Sequence, residues 1–447
     1  MSVLVIDVGT SGLRAAVVDH LGEVRGLEYA PFPPSTPFPG LVEFDGEAMA
    51  QTVITVAKRS LESAGPVEAV GITNQRASTL VWDRATGQPI APGLGWQDLR
   101  TVFDCITAKA DHGLALAPNQ SATKVVWLLN NIAGARDRDL CFGTVDSWLA
   151  WVLSGGAVHV TDPSNAAVTG LLLADSTAWS TDTCAALSVP MEMLPTVIDS
   201  TGVFGEASAL PGAPPLAALI GDQQASLIGQ GCVFPGLAKI TFGTGGMLDV
   251  CTGPTGPQSA RRSANGTFPI VAWSRNGQRM WGAEAIMLSA GTNVEWLRDD
   301  LGIISSAAES HDVAAQCEHT DGVVYVPALM GLGTPYWDYG ARGTLLGLTR
   351  GSGRPQVVRA VLEGVAHRGA DLLEAAEADF GSSIGAVRVD GGMSENPTFA
   401  QALANATGRS IEVSRHTEAT TTGAAYLAGL AVGTWGSFDD IAAAWKP

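Results

Sequence analysis

Short apolar runs separated by glycine turns open both halves of the chain. Residues 3–6 are apolar, residues 9–12 are Gly-Thr-Ser-Gly, and residues 14–19 return with mostly apolar side chains. This pattern predicts a β-hairpin. Residues 237–250 repeat it around a second turn of sequence Gly-Thr-Gly-Gly. Two halves that begin with the same hairpin predict a duplicated fold with two pseudo-symmetric domains.

Helical spacing appears further along the second half. Apolar side chains recur at helical intervals between residues 357 and 373, after the sequence Gly-Arg-Pro at 353–355, which predicts a core helix. Residues 387–390 predict a strand that runs into two glycines, and residues 393–397 predict the start of a helix. The small apolar residues of 420–429 predict a tightly packed helix that closes the second domain.

The length of 447 residues favours at least two domains, because a single hydrophobic core stops growing well below that size. The proline-rich residues 211–215 provide a candidate linker. We therefore predict one domain over residues 1–216 and another over residues 217–447.

Composition excludes several classes of protein. Hydrophobic residues make up 46% of the chain and charged residues 16%, with 53 glycines, as expected for a globular α/β enzyme with many tight turns. The net charge of −18 argues against nucleic acid or an anionic membrane as a partner, because both are bound by a surplus of Lys and Arg. A nucleotide remains possible, since backbone N–H groups and a bound cation can hold phosphates.

The chain carries no obvious targeting or membrane signal. Its first residues lack a basic segment, and no apolar run approaches the roughly 18 residues of a spanning helix. The six cysteines are scattered without a Cys-x-x-Cys pair. We therefore expect a cytoplasmic protein with free thiols, no disulfide and no zinc.

Three glycine turns and several acidic residues suit phosphoryl transfer. That reaction needs a cradle for phosphates, a divalent cation and a carboxylate that orients the attacking hydroxyl. Asp7 precedes the first turn, residues 243–246 form the second, and Gly392 with Asn396 belongs to the third. A single glycine turn of this kind usually binds no ligand. The prediction of phosphoryl transfer therefore rests on the three turns together with the acidic residues.

Three polar segments could contribute the rest of a site. Asp222 follows an apolar run and precedes a predicted helix, where an ordinary N-cap is the common role of an aspartate. The cluster at 74–76 could be an exposed loop, and Trp96 could be a buried tryptophan among polar neighbours. Residue types alone leave these alternatives open.

The order of these motifs resembles the FGGY family of carbohydrate kinases, and most closely its glycerol kinase branch, over nearly the whole chain. The matching stretches are 7–14, 71–76, 81–84, 96–98, 142–149, 221–224, 242–245, 296–299, 331–338, 341–343, 389–392 and 423–430. The resemblance implies an α/β fold of two actin-like ATPase (ribonuclease H-like) domains with a cleft between them. The N-terminal domain would hold the polyol and phosphates, and the C-terminal domain the nucleotide.

The resemblance also implies roles for individual residues. Asp222 would be the catalytic base, and Asp7 and Asp222 would lie at a Mg²⁺ ion. The substrate-binding positions would be Arg76, Ala77, Trp96, Asn119, Asp222, Gln223 and Met247. The ATP-binding positions would be Thr10, Ser11, Arg14, Thr244, Gly291, Glu295, Gly392 and Asn396.

Four of these positions depart from the glycerol kinase pattern. Ala77, Asn119 and Met247 replace Glu, Tyr and Phe, and Glu295 replaces a Gln on the nucleotide side. The lost carboxylate at Ala77 removes charge-assisted hydrogen bonds of about 1.5–3 kcal/mol to substrate hydroxyls. One hypothesis is a larger pocket for a longer polyol or ketose; the opposing one is that neighbouring side chains refill the space.

The sequence therefore predicts an ATP- and Mg²⁺-dependent kinase for a hydroxyl of a small polyol or sugar, such as glycerol. Alternatives are a kinase for a tetritol, pentitol or pentulose, a non-catalytic actin-like nucleotide sensor, and a chaperone-type ATPase. The family resemblance also suggests a homodimer or homotetramer.

Overall fold

The structure is a computed structural model that describes residues 1–415 and 418–447. Numbered in chain order, its strands are β1 (Ser2–Val8), β2 (Gly12–Asp19), β3 (Val24–Pro31), β4 (Glu43–Phe44), β5 (Ala69–Asn74), β6 (Leu80–Asp83), β7 (Gly93–Leu94), β8 (Leu140–Gly143), β9 (Val160–Thr161), β10 (Thr196–Val197), β11 (Thr201–Glu206), β12 (Pro215–Gly221), β13 (Ala238–Phe242), β14 (Gly246–Gly253), β15 (Phe268–Arg275), β16 (Gln278–Met287), β17 (Val324–Val326), β18 (Thr344–Leu346), β19 (Val387–Asp390) and β20 (Ile411–Val413).

The α-helices are α1 (Gly46–Ala64), α2 (Val102–His112), α3 (Ser121–Asn131), α4 (Val145–Leu153), α5 (Pro163–Ala166), α6 (Thr181–Ala186), α7 (Asp222–Gly229), α8 (Thr292–Glu295), α9 (Glu309–Ala314), α10 (Arg354–Phe380), α11 (Pro397–Thr407), α12 (Ala419–Val432) and α13 (Phe438–Ala444). Helix α8 continues as one π-helical segment, Trp296–Asp300.

Two six-stranded sheets share a five-stranded core topology, and the sixth strand lies at opposite ends: β11 beside β12 in the first sheet and β15 beside β16 in the second. The first has the order β11-β12-β5-β1-β2-β3, and the second the order β15-β16-β14-β13-β19-β20. In each, a three-stranded antiparallel meander (β1-β2-β3 or β13-β14-β16) is joined to two further strands parallel to its first strand (β5 and β12, or β19 and β20). Both predicted hairpins and the predicted duplication are confirmed.

Each sheet has one face covered by its own helices. Side chains alternate between the two faces of a strand, so every second residue of β1, including Leu4 and Ile6, lies in the core formed with α1 and α4. In the second sheet, Ile240 and Leu248 face the long helix α10. The helix predicted over residues 357–373 is confirmed, and it extends over 27 residues.

The opposite faces of the two sheets meet in a shared core. Val3 and Val5 of β1, the helices α7 and α12, and Trp273 of β15 belong to one buried apolar cluster. This cluster joins the two halves of the protein and places α7 and α12 between them.

The expectation for the last predicted helix is wrong in one respect. Residues 419–432 form α12, but this helix covers β1, β5, β11 and β12 of the first sheet rather than closing the second domain. The reason is its glycine: an added Cβ at Gly423 would lie 1.8 Å from the carbonyl oxygen of Ala225, so α7 and α12 touch backbone to backbone. Only a small-residue helix fits at that place.

The predicted boundary falls inside a strand. The proline-rich residues 211–215 connect β11 with β12, and both strands belong to the first sheet. Residue 216 lies within β12, which pairs in parallel with β5, so the first sheet continues to Gly221. The proline-rich segment is a turn within this sheet, because its two ends lie on neighbouring antiparallel strands.

All six cysteines are free, and five of them are buried.

The helix after the third glycine turn starts slightly later than predicted. After β19, residues 392–395 form a 3₁₀ turn before α11 begins at Pro397. No helix in the described part of the chain is long and apolar enough to cross a membrane.

Candidate active site

The candidate site lies where parallel strands of the first sheet end. Because β1, β5 and β12 are parallel neighbours, their carboxyl ends share one edge of the sheet. Asp7 lies near the end of β1, Arg76 follows β5, and Asp222 follows β12. Residues that are far apart in the sequence are therefore brought together by strand pairing.

Asp7 occupies the face of β1 that α7 and α12 cover. It is only 6% exposed. Burial raises the pKa of its carboxyl to about 7, Arg14 opposes that rise, and the negative charges of Asp222 and Glu418 add to it. The Nη1 atom of Arg14 lies 3.5 Å from Oδ2 of Asp7 and 3.8 Å from Oε2 of Glu418. Excess negative charge thus gathers at this edge.

Asp222 is the first residue of α7, and Gly221 occupies the N-cap position. The alternative that Asp222 is an ordinary N-cap is therefore wrong. Its Oδ1 accepts a hydrogen bond of 2.8 Å from the backbone N–H of Gln223. Burial raises the pKa of the Asp222 carboxyl, while Arg76 opposes the rise. A half-buried carboxylate beside a cationic group can accept a proton from a hydroxyl.

Arg76 lies across the start of α7 and reaches the second sheet. An added Cβ at Gly221 would lie 2.6 Å from its Cδ, so glycine is needed where the arginine crosses. Its Nη2 donates a hydrogen bond to Oε2 of Glu284 on β16. Burial would lower the pKa of the guanidinium, but the charges of Glu284 and Asp222 raise it.

A buried charged layer supports Asp222 from the second sheet. Lys239 of β13 is fully buried, and its Nζ lies 2.8 Å from Oδ2 of Asp249 on β14. The same Nζ donates hydrogen bonds of 2.9 Å to Oε1 of Gln223 and to Oγ1 of Thr241. Gln223, predicted to bind substrate, is therefore held by Lys239.

The predicted phosphate and substrate positions of the first domain are neighbours. Nε1 of Trp96 donates a hydrogen bond of 3.2 Å to Oγ1 of Thr10, which lies with the exposed Ser11 in the β1–β2 turn. Trp96 is 39% exposed, so its ring borders open space. The structure thus places a residue predicted to bind the polyol next to one predicted to bind phosphate.

Ala77 is buried and has a φ angle of 64°. Non-glycine residues rarely adopt that conformation, and those that do cluster at functional sites. The hydroxyl of Ser121 donates a hydrogen bond of 3.2 Å to the carbonyl of Ala77. Because Ser121 begins α3, the exposed Asn119 of the preceding turn lies in the same region as Ala77.

Met247 lies on the face of the second sheet that points towards α7. It pairs with Thr241 on one side and Ile286 on the other, and it shares its face with Asp249. The chain therefore places the third altered substrate position on the domain opposite Ala77.

The nucleotide-side residues surround the second glycine turn. The N–H of Gly291 donates a hydrogen bond of 2.8 Å to the carbonyl of Gly243, and a Cβ at Gly291 would lie 2.6 Å from that oxygen. Thr244 is exposed in the turn, and Glu295 is exposed at the end of α8. The β13–β14 turn and the start of α8 thus form one surface.

The third turn is built differently from the other two. Gly391 has a φ of 85°, whereas a Cβ at Gly392 would meet no atom within 4 Å, which leaves that residue open to a ligand. Asn396 caps α11: its Oδ1 accepts from the N–H of Phe399 at 3.1 Å, and its Nδ2 donates to Oγ of Ser310 at 2.8 Å.

Sequence reasoning missed four charged residues of the site: Lys239, Asp249, Glu284 and Glu418. One signal for the first two was available, because a hairpin with its turn at 243–246 places Lys239 opposite Asp249. Glu284 and Glu418 carried no such local signal, since each meets its partner only through tertiary structure.

A cavity of about 560 Å³ lies elsewhere, between residues 302–305 and the start of α10. None of the predicted site residues lines it. Among the described residues, no group of three or more His, Cys, Asp or Glu side chains is arranged to hold a metal ion.

Comparison with known proteins finds family models that match both halves of the chain. The family model described as the N-terminal domain of the FGGY family of carbohydrate kinases matches residues 2–229, and the C-terminal domain model matches residues 238–432. Glycerol kinase from Deinococcus radiodurans is 43% identical, with 99% of this chain and 91% of that protein aligned. Glycerol kinase from Aromatoleum aromaticum is 42% identical, with 99% and 92% aligned.

Solved structures agree with the fold. The crystal structure of Plasmodium falciparum glycerol kinase with ADP has a TM-score of 0.92 and 28% identity, and the match covers 99% of this chain and 92% of that one. Ligand-bound xylulose kinase from Lactobacillus acidophilus has a TM-score of 0.87 at 20% identity, covering 100% and 92%. The expected α/β fold of two actin-like domains is confirmed.

Proposed function

Since the chain belongs to the FGGY family of carbohydrate kinases, we propose that it is an ATP-dependent kinase that phosphorylates a hydroxyl of glycerol or a related small polyol. The observation that carries the proposal is the convergence of Asp7, Arg76 and Asp222 at one sheet edge, beside the second sheet with its exposed glycine turn. Asp222 is the base, because its carboxylate is half-buried and stands next to a cationic side chain.

The acceptor binds against residues of both domains. Arg76 and Trp96 position the polyol, and Asp222 accepts the proton of the attacking hydroxyl. Met247 approaches from the second sheet, and Ala77 and Asn119 leave space in the first domain. Domain closure excludes water and suppresses hydrolysis of ATP.

The nucleotide binds along the glycine turns. Backbone N–H groups near Thr10 and Ser11, and near Thr244, point to phosphate binding, because such turns hold anions without net basic charge. Arg14 adds a positive charge beside them. Gly291, Glu295, Gly392 and Asn396 hold the rest of the nucleotide on the second domain.

The site fits a magnesium ion. The Asp7 carboxylate is buried, and the negative charges of Asp222 and Glu418 act on it, so a cation beside it would offset charge that Arg14 shares with Glu418. Mg²⁺ binds proteins through one or two carboxylates and takes its other ligands from phosphate and water, which Asp7 and Asp222 can satisfy. When bound, the ion offsets negative charge on the transferring phosphoryl group.

A longer polyol or ketose is the second candidate acceptor. Ala77, Asn119 and Met247 are smaller or more flexible than the residues of the glycerol kinase pattern, and all three lie around the proposed acceptor. A nucleotide sensor without catalysis is less consistent with the chain, because a sensor needs no carboxylate beside an acceptor-binding arginine.

The test is ADP release from MgATP with glycerol, erythritol, threitol, pentitols, dihydroxyacetone and ketoses. We expect acceptor-dependent turnover that Asp222→Asn abolishes and that Asp111→Asn, a change at the exposed end of α2, leaves intact. If glycerol has by far the highest kcat/KM, the enlarged-pocket hypothesis is wrong. ATP binding without turnover on any acceptor would favour the sensor.

We propose that the enzyme lies in the cytoplasm, where MgATP is available, and that it forms a homodimer or homotetramer. Light scattering of the purified protein measures its mass in solution, and a monomer at all concentrations would contradict that expectation.

A further inference from the structure

An ion pair joins the two sheets beside the proposed base. Nη2 of Arg76, from the first domain, is bonded to Oε2 of Glu284, from the second. The two side chains are only 11% and 8% exposed. A pair so withdrawn from water is held in one geometry, because either charge alone would be costly to bury. The direction of the guanidinium is therefore set by both sheets.

The ion pair uses only one of the two terminal nitrogens of the Arg76 guanidinium. Nη1 of Arg76 is buried and has no hydrogen-bond partner within residues 1–415 and 418–447. Buried donors on charged groups are rarely left unpaired, since their desolvation is costly unless a ligand satisfies them. The side chain crosses Gly221, so this free donor belongs to the region next to Asp222.

Glu284 has its own fixed place in the second sheet. It pairs with Asp249 across the β14–β16 ladder, on the face that also carries Met247. Lys239 neutralises Asp249, which leaves the charge of Glu284 available for Arg76. The carboxylate is thus presented from a strand rather than from a loop.

We infer that Glu284 is a positioning residue for the acceptor: it holds Nη2 of Arg76 so that Nη1 stays free to donate a hydrogen bond to an acceptor oxygen beside Asp222. Glu284 acts through Arg76 and not by touching the acceptor. This inference rests on the proposed function, since it takes Arg76 as an acceptor-binding residue. It also makes acceptor affinity depend on the second sheet, which carries Thr244.

The experiment compares Glu284→Gln and Glu284→Asp with the wild type in the MgATP assay, using glycerol or the best acceptor of the panel. We expect Glu284→Gln to raise the acceptor KM about tenfold or more, while the KM for ATP changes by less than about threefold. Glu284→Asp keeps the carboxylate and restores part of the acceptor affinity. A merely structural residue would affect both substrates alike.

Asp371→Asn is the matched control. Asp371 pairs with the buried Arg368 on α10, away from the predicted site residues, so its loss also breaks an ion pair of the second domain. We expect it to lower thermal stability without changing the acceptor KM.

Two results would overturn the inference: an acceptor KM in Glu284→Gln equal to that of the wild type, or equal increases in both KM values. If Glu284→Gln does not fold, the double variant with Arg76→Gln, which removes both charges of the ion pair, replaces it. The acceptor KM of this double variant must then match that of Arg76→Gln alone. A higher acceptor KM in the double variant than in Arg76→Gln would contradict the inference that Glu284 acts through Arg76. A wild type without acceptor-dependent turnover would instead contradict the proposed function.

Discussion

At the scale of single residues, Ala77 is the position at which the proposed acceptor preference can be tested. Ala77 already has a positive φ, so another non-glycine side chain at that place adds no new backbone strain. The carbonyl of Ala77 is fixed by Ser121, which holds the segment in position. Specificity can therefore be tested by changing this side chain alone.

Ala77→Glu should lower the KM for glycerol. The added carboxylate can accept charge-assisted hydrogen bonds of about 1.5–3 kcal/mol, equivalent to roughly tenfold or more in affinity. Ala77→Gln has the same shape without the charge and is the control. A folded Ala77→Glu enzyme with an unchanged glycerol KM would show that this position does not reach the acceptor.

Asp146 should make stability depend on pH. Burial raises the pKa of this carboxyl to about 7 in the folded protein, and the charge of Asp162 adds to the rise. The ordinary pKa of an aspartate is about 4, so the folded state binds the proton more tightly than the unfolded state. This contribution to the free energy of unfolding is fully present below about pH 4 and declines as the pH rises to about 7.

Urea denaturation at several pH values tests this linkage. Asp146→Asn removes this titration. As the pH rises from about 4 to about 7, the free energy of unfolding of the wild type should therefore fall relative to that of Asp146→Asn by roughly a few kcal/mol. Asp111→Asn should follow the wild-type curve. Parallel curves for Asp146→Asn and the wild type would mean that this aspartate does not titrate in that window.

At the scale of elements, the contact between α7 and α12 determines where Asp222 stands. Helix α7 starts with Asp222, and α12 starts directly after Glu418, whose Oε2 lies 3.8 Å from Nη1 of Arg14. Gly229 and Gly423 let the two backbones touch, since a Cβ at Gly229 would lie 1.9 Å from the carbonyl oxygen of Ala419. The position of the proposed base thus depends on glycines that have no side-chain chemistry of their own.

Gly423→Ala should strongly destabilise the protein. Its methyl group would lie 1.8 Å from a backbone carbonyl oxygen, so the helices must separate and the shared core must open. We expect a loss of about 2–4 kcal/mol in urea denaturation, against the small gain that alanine gives in an open helix. Gly385→Ala, where a Cβ meets nothing within 4 Å, is the control. Equal stability of the two variants would contradict the backbone contact.

At the scale of the whole molecule, the two halves share one core. Val5 of the first sheet, α7, α12 and Trp273 of the second sheet belong to the same buried cluster. The halves therefore cannot be separated without exposing a large apolar surface. Arg76 and Glu284 add a charged link at the cleft.

The fragment of residues 1–229 should not fold on its own. It lacks α12, which covers the β1, β5 and β12 face of its sheet, so that face would be open to water. We expect weak near-ultraviolet circular dichroism and aggregation for the fragment, and a native spectrum for the full chain. A cooperative urea transition of the isolated fragment would contradict this dependence.

The amino-acid sequence by itself determined the local elements, and its motifs selected the candidate site residues. Strand alternation and glycine turns predicted both hairpins, and helical spacing predicted the core helix now seen as α10. Asp7, Arg76 and Asp222 could be selected because each lies at or just after the end of an apolar strand and within a motif of the resembled family. These signals are local, since they depend on periods of two and 3.6 residues and on turn chemistry.

Only the tertiary structure decided which of these elements meet. The small-residue helix α12 could not be assigned to a sheet from its own sequence, because its partner surface is built by distant strands that lie within residues 2–221. The end of the first sheet at Gly221 depended on pairing between β5 and β12, and the pairing of Arg76 with Glu284 depended on the approach of two sheets. Such contacts leave no periodic pattern in the chain, since a charged residue in a strand has the same sequence signature whether its partner is solvent or an arginine of another domain.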